Sequence, residues 1–486
     1  MSEPLLLSDR IRRLRPAWLG DTAALLLVSA LLLMMAAALG VVAASLGSLA
    51  ILLALVVLFV GLASTNIALV PLLAFPAILL PMRTGPLSIT DLVLIAGTLP
   101  AFLLYRRAEA RDLQQFIWLG ISYQLMLVPT LLLNPYLANL IEWAHELFMV
   151  IGGLLVGWVV GRSGFASAAL RLFVLGCVVI GLWAFAEGLV MLATTHAFGP
   201  VYLPELHKNF IGDVLAFGFI LAFMRPDWLG WSRRFAYPVM LACALGIAAS
   251  MSRQAMVSVG ATVLIMSLRG RQGGAGRGRI LLLALIPGMW FVFNSLSDQL
   301  QQYENGDRFN SASQRIVWFM QSLDIWRESP VFGVGLRWWY TQRFSETFQP
   351  PNALFEMLSS AGLLGTIGFF VLCLGGLWAA LTLDPRYGNL ASAILLARFT
   401  QGQLDLYWLA GLSALPWMMV GLVLGVQAMH LAAPHSAPLQ QLPADPPSRP
   451  PLRRGISGPT RRHPQRARPG AQPTERGDGY LPTRLR

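Results

Sequence analysis

The sequence predicts an all-α fold, a polytopic bundle of transmembrane helices with one large extracytoplasmic loop. Three observations predict it. Apolar residues make up 56% of the 486, charged residues only 12%, and the mean hydropathy is +0.60, whereas a soluble chain carries about 25% charge. The apolar residues gather in runs of about 20, the length that crosses a hydrocarbon core of about 30 Å. Basic clusters occupy the short connections between runs and fall on one side of a single alternating path.

Residues 1–21 carry Arg10, Arg12, Arg13 and Arg15 ahead of the first run, and read as a cytoplasmic N-terminus before a retained first helix. Residues 22–296 form a first transmembrane region. Its spans are expected near 22–40, 46–63, 66–82, 88–105, 115–133, 141–161, 170–192, 209–224, 235–250, 254–268 and 280–296. The 62 residues from 21 to 82 are tight for three crossings. Two crossings and a short or re-entrant piece suit them nearly as well, which sets the total at 12–14 spans. Residues 297–352 then break the pattern as a polar extracytoplasmic loop, dense in ionisable groups that lipid cannot hold. Spans resume at 353–382, 388–403 and 407–430, so residues 353–430 form a second transmembrane region. Residues 431–486 are a basic, Pro- and Arg-rich cytoplasmic tail with the composition of a disordered segment. Either it is drawn to anionic lipid or it is a solvated extension.

From residue 445 onward that tail holds ten arginines against three acidic residues. Much of the +12 net charge therefore lies there, and most of the remainder in short loops, so it is not a nucleic-acid signal. The basic clusters at 10–15, 106–111, 162–171, 225–234 and 269–279 share a side with the tail. That side is assigned to the cytoplasm, with both termini. Residues 134–142, 194–208, 250–253, 297–352 and 403–407 fall on the other side. The three cysteines, Cys177, Cys243 and Cys373, all lie in apolar runs, so neither a disulfide framework nor a metal cluster is expected, and no cofactor is.

Four segments on the outer side could carry chemistry. Arg253 stands in SMSRQAM between two apolar runs, surrounded by Ser250, Ser252 and Gln254. It reads as part of a polar pocket or as a snorkelling interfacial cation. In LPELHKNFIGDV, Glu205, His207, Lys208, Asn209 and Asp213 line the mouth of a span, with Asp213 one turn after Asn209. Lys208 at that helix start would add to the positive end of its dipole, where an anion could bind. Within the loop, Ile316, Phe319, Leu323 and Trp326 have helical spacing, Ser311 or Ser313 could cap the helix, and Arg315 emerges near its first turn. Gly333 and Gly335 then permit a tight backbone before Trp338, Trp339 and Tyr340, which could anchor at the interface or stack on sugar rings. Finally QPPNALFE brings Asn352 and Glu356 to the start of the next span, where Glu356 needs a partner such as Arg315 or Arg253.

In order, Lys208-Asn209, Ser252-Arg253, Arg315 with Trp318, Gly333-Val334-Gly335, Asn352 and Gly362-Leu363-Leu364-Gly365 resemble the O-antigen ligases and Wzy-type O-antigen polymerases. The likeness covers about residues 205–368. It implies a bacterial inner-membrane enzyme of cell-envelope polysaccharide biosynthesis. Such an enzyme moves a glycan from a polyprenyl-diphosphate (undecaprenyl diphosphate) carrier to an acceptor hydroxyl on a glycan, lipid or protein, without metal or nucleotide sugar. On this likeness Arg253 and Arg315 bind the diphosphate with help from Lys208, and Asn209, Asn352 and Trp338 contact substrate. Paired guanidinium donors suit phosphate oxygens as charge develops on them. The family's loop has His before Asn, whereas this chain has Pro351, which passes the acceptor-activating role to His207 or Glu356 unless the leaving phosphate assists.

Two other classes compete. A transporter or flippase of lipid-linked glycan would place charge deep in several spans, and the deep candidates are Glu187, Asp213, Arg398 and Asp405. A non-catalytic member of an envelope assembly would tolerate Pro351.

Overall fold

The computed structural model describes residues 48–84, 87–197, 199–269, 311–344 and 348–432. The expected spans at 22–40 and 280–296, the N-terminal segment and the basic tail lie outside these. Among the described residues the fold is all-α, save for one two-residue antiparallel pair, Arg83–Thr84 with Leu87–Ser88.

The helices follow the apolar runs. They are α1 (Ser48–Thr65), α2 (Leu69–Leu72), α3 (Ala74–Ala77), α4 (Ile89–Leu104), α5 (Arg111–Leu133), α6 (Leu137–Arg162) and α7 (Ala166–Thr195). Next come α8 (Lys208–Met224), α9 (Arg233–Ser250), α10 (Arg253–Arg269), α11 (Ser311–Glu328), α12 (Ala353–Thr382), α13 (Pro385–Gly402) and α14 (Ala410–Ala432). Among the described residues α5, α6, α7, α12 and most of α14 are long and apolar enough to cross a membrane. The expected span at 66–82 is instead the two four-residue helices α2 and α3, with Pro71 and Pro76 inside them. Proline removes a helical donor and crowds the preceding turn, so this piece matches the short alternative to a third crossing.

Small residues set the tightest helix pair. Gly153, Gly157 and Gly161 of α6 face Gly421 and Gly425 of α14. A Cβ at Gly157 would sit 1.9 Å from the Met418 carbonyl oxygen, and one at Gly421 would sit 2.1 Å from that of Leu154. With no hydrophobic force between helices in lipid, such backbone proximity is what holds the pair.

Polar contacts sort the connections into two ends, as the alternating path requires. At one end Arg162 pairs with Glu109 at 2.7 Å, the Trp228 indole donates to the Arg386 carbonyl at 3.1 Å, and Gln427 donates to Asp112 at 3.1 Å. At the other, Val201 N–H donates to the Ala249 carbonyl at 3.1 Å, Asn209 reaches Asp405, and Asn352 reaches Gln403. Every segment named at this second end is one that the charge pattern put on the outer side.

The described part of the polar loop docks onto that end through a broken helix. Within α12, Gly362 has φ 64° and ψ −163°, a conformation closed to residues with a Cβ. The break releases the Ser359 and Ser360 carbonyls, which accept from Val334 N–H at 3.0 Å and Gly335 N–H at 2.9 Å. It also releases the Leu363 and Leu364 amides, which donate to the Pro330 and Val331 carbonyls at 2.8 and 3.1 Å. Backbone freed within a membrane protein needs partners of this kind. The Gly-Val-Gly and Gly-Leu-Leu-Gly motifs are thus two halves of one joint.

Candidate functional site

Three cations converge from three chain segments at the loop-bearing end. Lys208 is the first residue of α8, Arg253 the first of α10, and Arg315 lies at the start of α11. Each is half-buried. Burial, then the charges of Arg253 and Arg315, push the Lys208 ammonium below its ordinary value. Burial and Arg315 do the same to the Arg253 guanidinium, which stays charged at any physiological pH. Helix N-termini add partial positive charge to two of these positions. Fixed cations held this close cost energy unless an anion offsets them.

A polar network lies behind the cations. Asn209 donates from Nδ2 to Asp405 Oδ2 at 2.7 Å, and Gln254 donates from Nε2 to the same oxygen at 2.8 Å and to Asp213 Oδ2 at 3.3 Å. Arg398, fully buried, lies 3.7 Å from Asp213 and donates to the Leu406 and Tyr407 carbonyls. Asn209 and Asp213 therefore do share the face their spacing predicts. Three of the four deep charges gather here, with Asp213 and Asp405 balanced by Arg398, whereas Glu187 is exposed on α7 and accepts from the Trp183 indole at 3.3 Å.

His207 caps α8. Its Nδ1 accepts from Asn209 N–H at 3.2 Å, and burial holds the imidazole below its ordinary pKa, so it is neutral at pH 7. A neutral ring accepting at Nδ1 carries its proton on Nε2. The one basic lone pair is therefore engaged, which disfavours His207 as a base. Asn352 is equally committed. Its Oδ1 accepts from the Leu354 and Phe355 amides at 2.8 and 3.2 Å, capping α12, and its Nδ2 donates to the Gln403 carbonyl at 2.6 Å.

Glu356 follows Asn352 by one turn and is buried. Its Oε1 accepts from Gln349 Nε2 at 2.8 Å, and Oε2 has no hydrogen-bond partner among the described residues. Gln349 thus stands where Arg315 or Arg253 was expected. A buried carboxylate with one free oxygen can take a proton from a bound hydroxyl.

Trp338 is enclosed in the loop's own core. Its indole donates to Ser359 Oγ at 3.2 Å, and Trp339, Phe344 and Phe348 pack edge-on around it at 5.6–6.0 Å. Trp338, expected at a sugar contact, is buried, whereas nearby Tyr340 is exposed. α11 confirms the helix read from Ile316, Phe319, Leu323 and Trp326, with Ser322 and Ile325 innermost and Phe319 stacked on Phe355 at 4.4 Å. The helix begins at Ser311, and its cap lies outside the described residues.

Sequence reasoning missed a second buried cluster. His145 contacts Asp91 Oδ1 at 2.8 Å through Nε2 and Glu142 Oε2 at 3.2 Å through Nδ1, and Arg337 from the loop pairs with Glu142. Ser88 orients Asp91 in a capping box. Around this, Tyr136 donates to the Leu336 carbonyl at 2.7 Å, and Asn139 accepts from Leu336 N–H at 2.9 Å. Burial pushes the Tyr136 hydroxyl well above its usual pKa, so it remains a donor. The signal available was Glu142, His145 and Glu146 at i, i+3 and i+4 on one face of an otherwise apolar helix.

Among the described residues no group of three or more His, Cys, Asp or Glu could hold a metal ion. No curated protein matches the chain. Residues 238–370 match the family model described as O-antigen ligase. That segment contains Arg253, Arg315, the Gly-Val-Gly joint, Asn352 and Glu356, whereas Lys208 and Asp405 lie outside it. Through these residues the chain is similar to the O-antigen ligases over residues 238–370.

Proposed function

We propose that the protein transfers a glycan from a polyprenyl-diphosphate carrier to an acceptor hydroxyl, at the outer face of a bacterial cytoplasmic membrane. The observation that carries this reading is the convergence of Lys208, Arg253 and Arg315 from three segments, each at or near a helix start. Concentrated positive charge at helix N-termini suits a diphosphate and suits its departure still better, because the leaving group gains negative charge. In this reading the acceptor oxygen attacks the anomeric carbon and the bond from that carbon to the diphosphate oxygen breaks. The polyprenyl diphosphate leaves with the electron pair, and the hydroxyl proton passes to Glu356. Asn209 and Asn352 act by fixing the helix starts, and His207 by capping α8. The family-model match over residues 238–370 supports a cell-envelope glycan ligase or polymerase role; the donor, the face, the cytoplasmic placement of both termini and the residue roles are proposed with it.

The flippase reading is disfavoured by the deep charges, since Asp213 pairs with Arg398 and shares the Gln254 amide with Asp405 instead of lining a path. Deletion of the gene, followed by analysis of surface glycan and its lipid-linked precursor, tests the proposal. Loss of the surface glycan with precursor on the outer leaflet is the expected result, unrelieved by Arg253→Ala or Arg315→Ala. Precursor confined to the inner leaflet, or full rescue by both variants, would overturn it.

A further inference from the structure

We infer that Asp405 is a positioning residue for the diphosphate. Its single oxygen Oδ2 ties together the two helix starts that carry Lys208 and Arg253, and so fixes the spacing that selects two linked phosphates over one. The inference rests on the donor reading above.

The geometry is specific. Asp405 Oδ2 accepts from Asn209 Nδ2 at 2.7 Å and from Gln254 Nε2 at 2.8 Å. Asn209 follows Lys208 and Gln254 follows Arg253, each within the first turn of its helix. α8 and α10 are separated in sequence by all of α9, so one carboxylate from the α13–α14 connection links segments that the chain does not join directly. The carboxylate is itself held. Asp405 N–H donates to the Gln401 carbonyl at 2.9 Å, and the buried Arg398 grips the adjacent Leu406 carbonyl at 2.9 Å.

The charge sign argues for position over affinity. A carboxylate beside an anion site weakens anion binding, so its presence among the cations needs another benefit. Holding two cations at a set distance is such a benefit, because a diphosphate can engage both at once and a monophosphate engages them singly. Electrostatics agrees: Asp405 partly offsets the lowering that burial, Arg253 and Arg315 impose on Lys208.

The test uses the full chain in nanodiscs, with farnesyl diphosphate and farnesyl monophosphate as probes and the ratio of their dissociation constants as the readout. Asp405→Ala removes both tethers and is expected to lower the preference for diphosphate by about tenfold, as if one of the two cation–phosphate contacts were lost. Asp405→Asn keeps an oxygen able to accept both amides and removes the negative charge, so both probes should bind tighter with their ratio preserved. Asn209→Ala and Gln254→Ala each cut one arm and should lower the ratio part-way. They carry the test if Asp405→Ala does not fold. An unchanged ratio in folded Asp405→Ala, or in both arm variants, overturns the inference. Arg253→Ala with undiminished diphosphate affinity overturns instead the donor reading on which it rests.

Discussion

Gly362→Ala should undock the loop from the bundle. At φ 64° and ψ −163° an alanine is strained by ~1–3 kcal/mol. Its Cβ would also lie 2.4 Å from the Val331 carbonyl and 2.6 Å from Gly333 N. These neighbours are backbone, so relief requires the 330–335 segment to withdraw and give up the four hydrogen bonds of the joint. At ~0.5–1.5 kcal/mol net for each bond, their loss is of the same order as the strain. A shift of ~3 kcal/mol changes the docked-to-undocked ratio by over a hundredfold. Hydrogen exchange at the Val334 and Gly335 amides reads this directly, and both should lose protection. Gly61→Ala, where an added methyl meets nothing within 4 Å, is the control and should change neither amide. Unchanged protection in Gly362→Ala would refute the interlocked joint.

Other consequences follow from the same contacts. A bound diphosphate raises the depressed pKa of Lys208. Affinity is therefore full below the ligand-free pKa of Lys208 and falls as pH rises through its ligand-bound pKa, and Lys208→Ala should remove that limb from a pH titration of binding. Arg337→Ala takes the guanidinium from buried Glu142 and leaves it His145 alone, at a cost of ~1.5–3 kcal/mol; the thermal midpoint should drop, and Arg337→Ala with Glu142→Gln should recover part of it. Trp338→Ala should destabilise the fold by ~3–5 kcal/mol while leaving the KM for donor unchanged, separating a core side chain from a sugar contact. His207→Ala removes a cap and should retain most turnover; abolished turnover with an intact fold would return the base role to His207.

The fold was readable where one solvent dictates it. Apolar runs long enough to cross lipid become helices because no other open structure satisfies the backbone there, and α5 to α7, α12 and α14 follow the runs closely. The 66–82 run stayed open between a crossing and a short piece because hydropathy alone does not show that its prolines break it into α2 and α3. At the site, charge and sidedness brought Lys208, Arg253 and Arg315 into view as separate motifs. Their meeting depends on how α8, α10 and α11 pack, which no local pattern encodes. Asn352 and Trp338 looked like substrate contacts because exposed and enclosed polar or aromatic groups have the same letters. What the letters do not carry is the pairing: a cap and a carbonyl for Asn352, an aromatic shell for Trp338. The Asp91–His145–Glu142–Arg337 cluster joins positions up to 246 residues apart, from 91 to 337, and so leaves only its i, i+3 fragment in the sequence.

The central claim is that the converged cations bind and release the carrier diphosphate while Glu356 takes the acceptor proton. A purified, reconstituted protein given a polyprenyl-diphosphate oligosaccharide and a candidate hydroxyl acceptor tests it, with release of free polyprenyl diphosphate measured in a single turnover. The account predicts release only with acceptor present, lost in Arg253→Ala with Arg315→Ala, and slowed in Glu356→Gln without loss of donor binding. Release at the wild-type rate from the double arginine variant would contradict it.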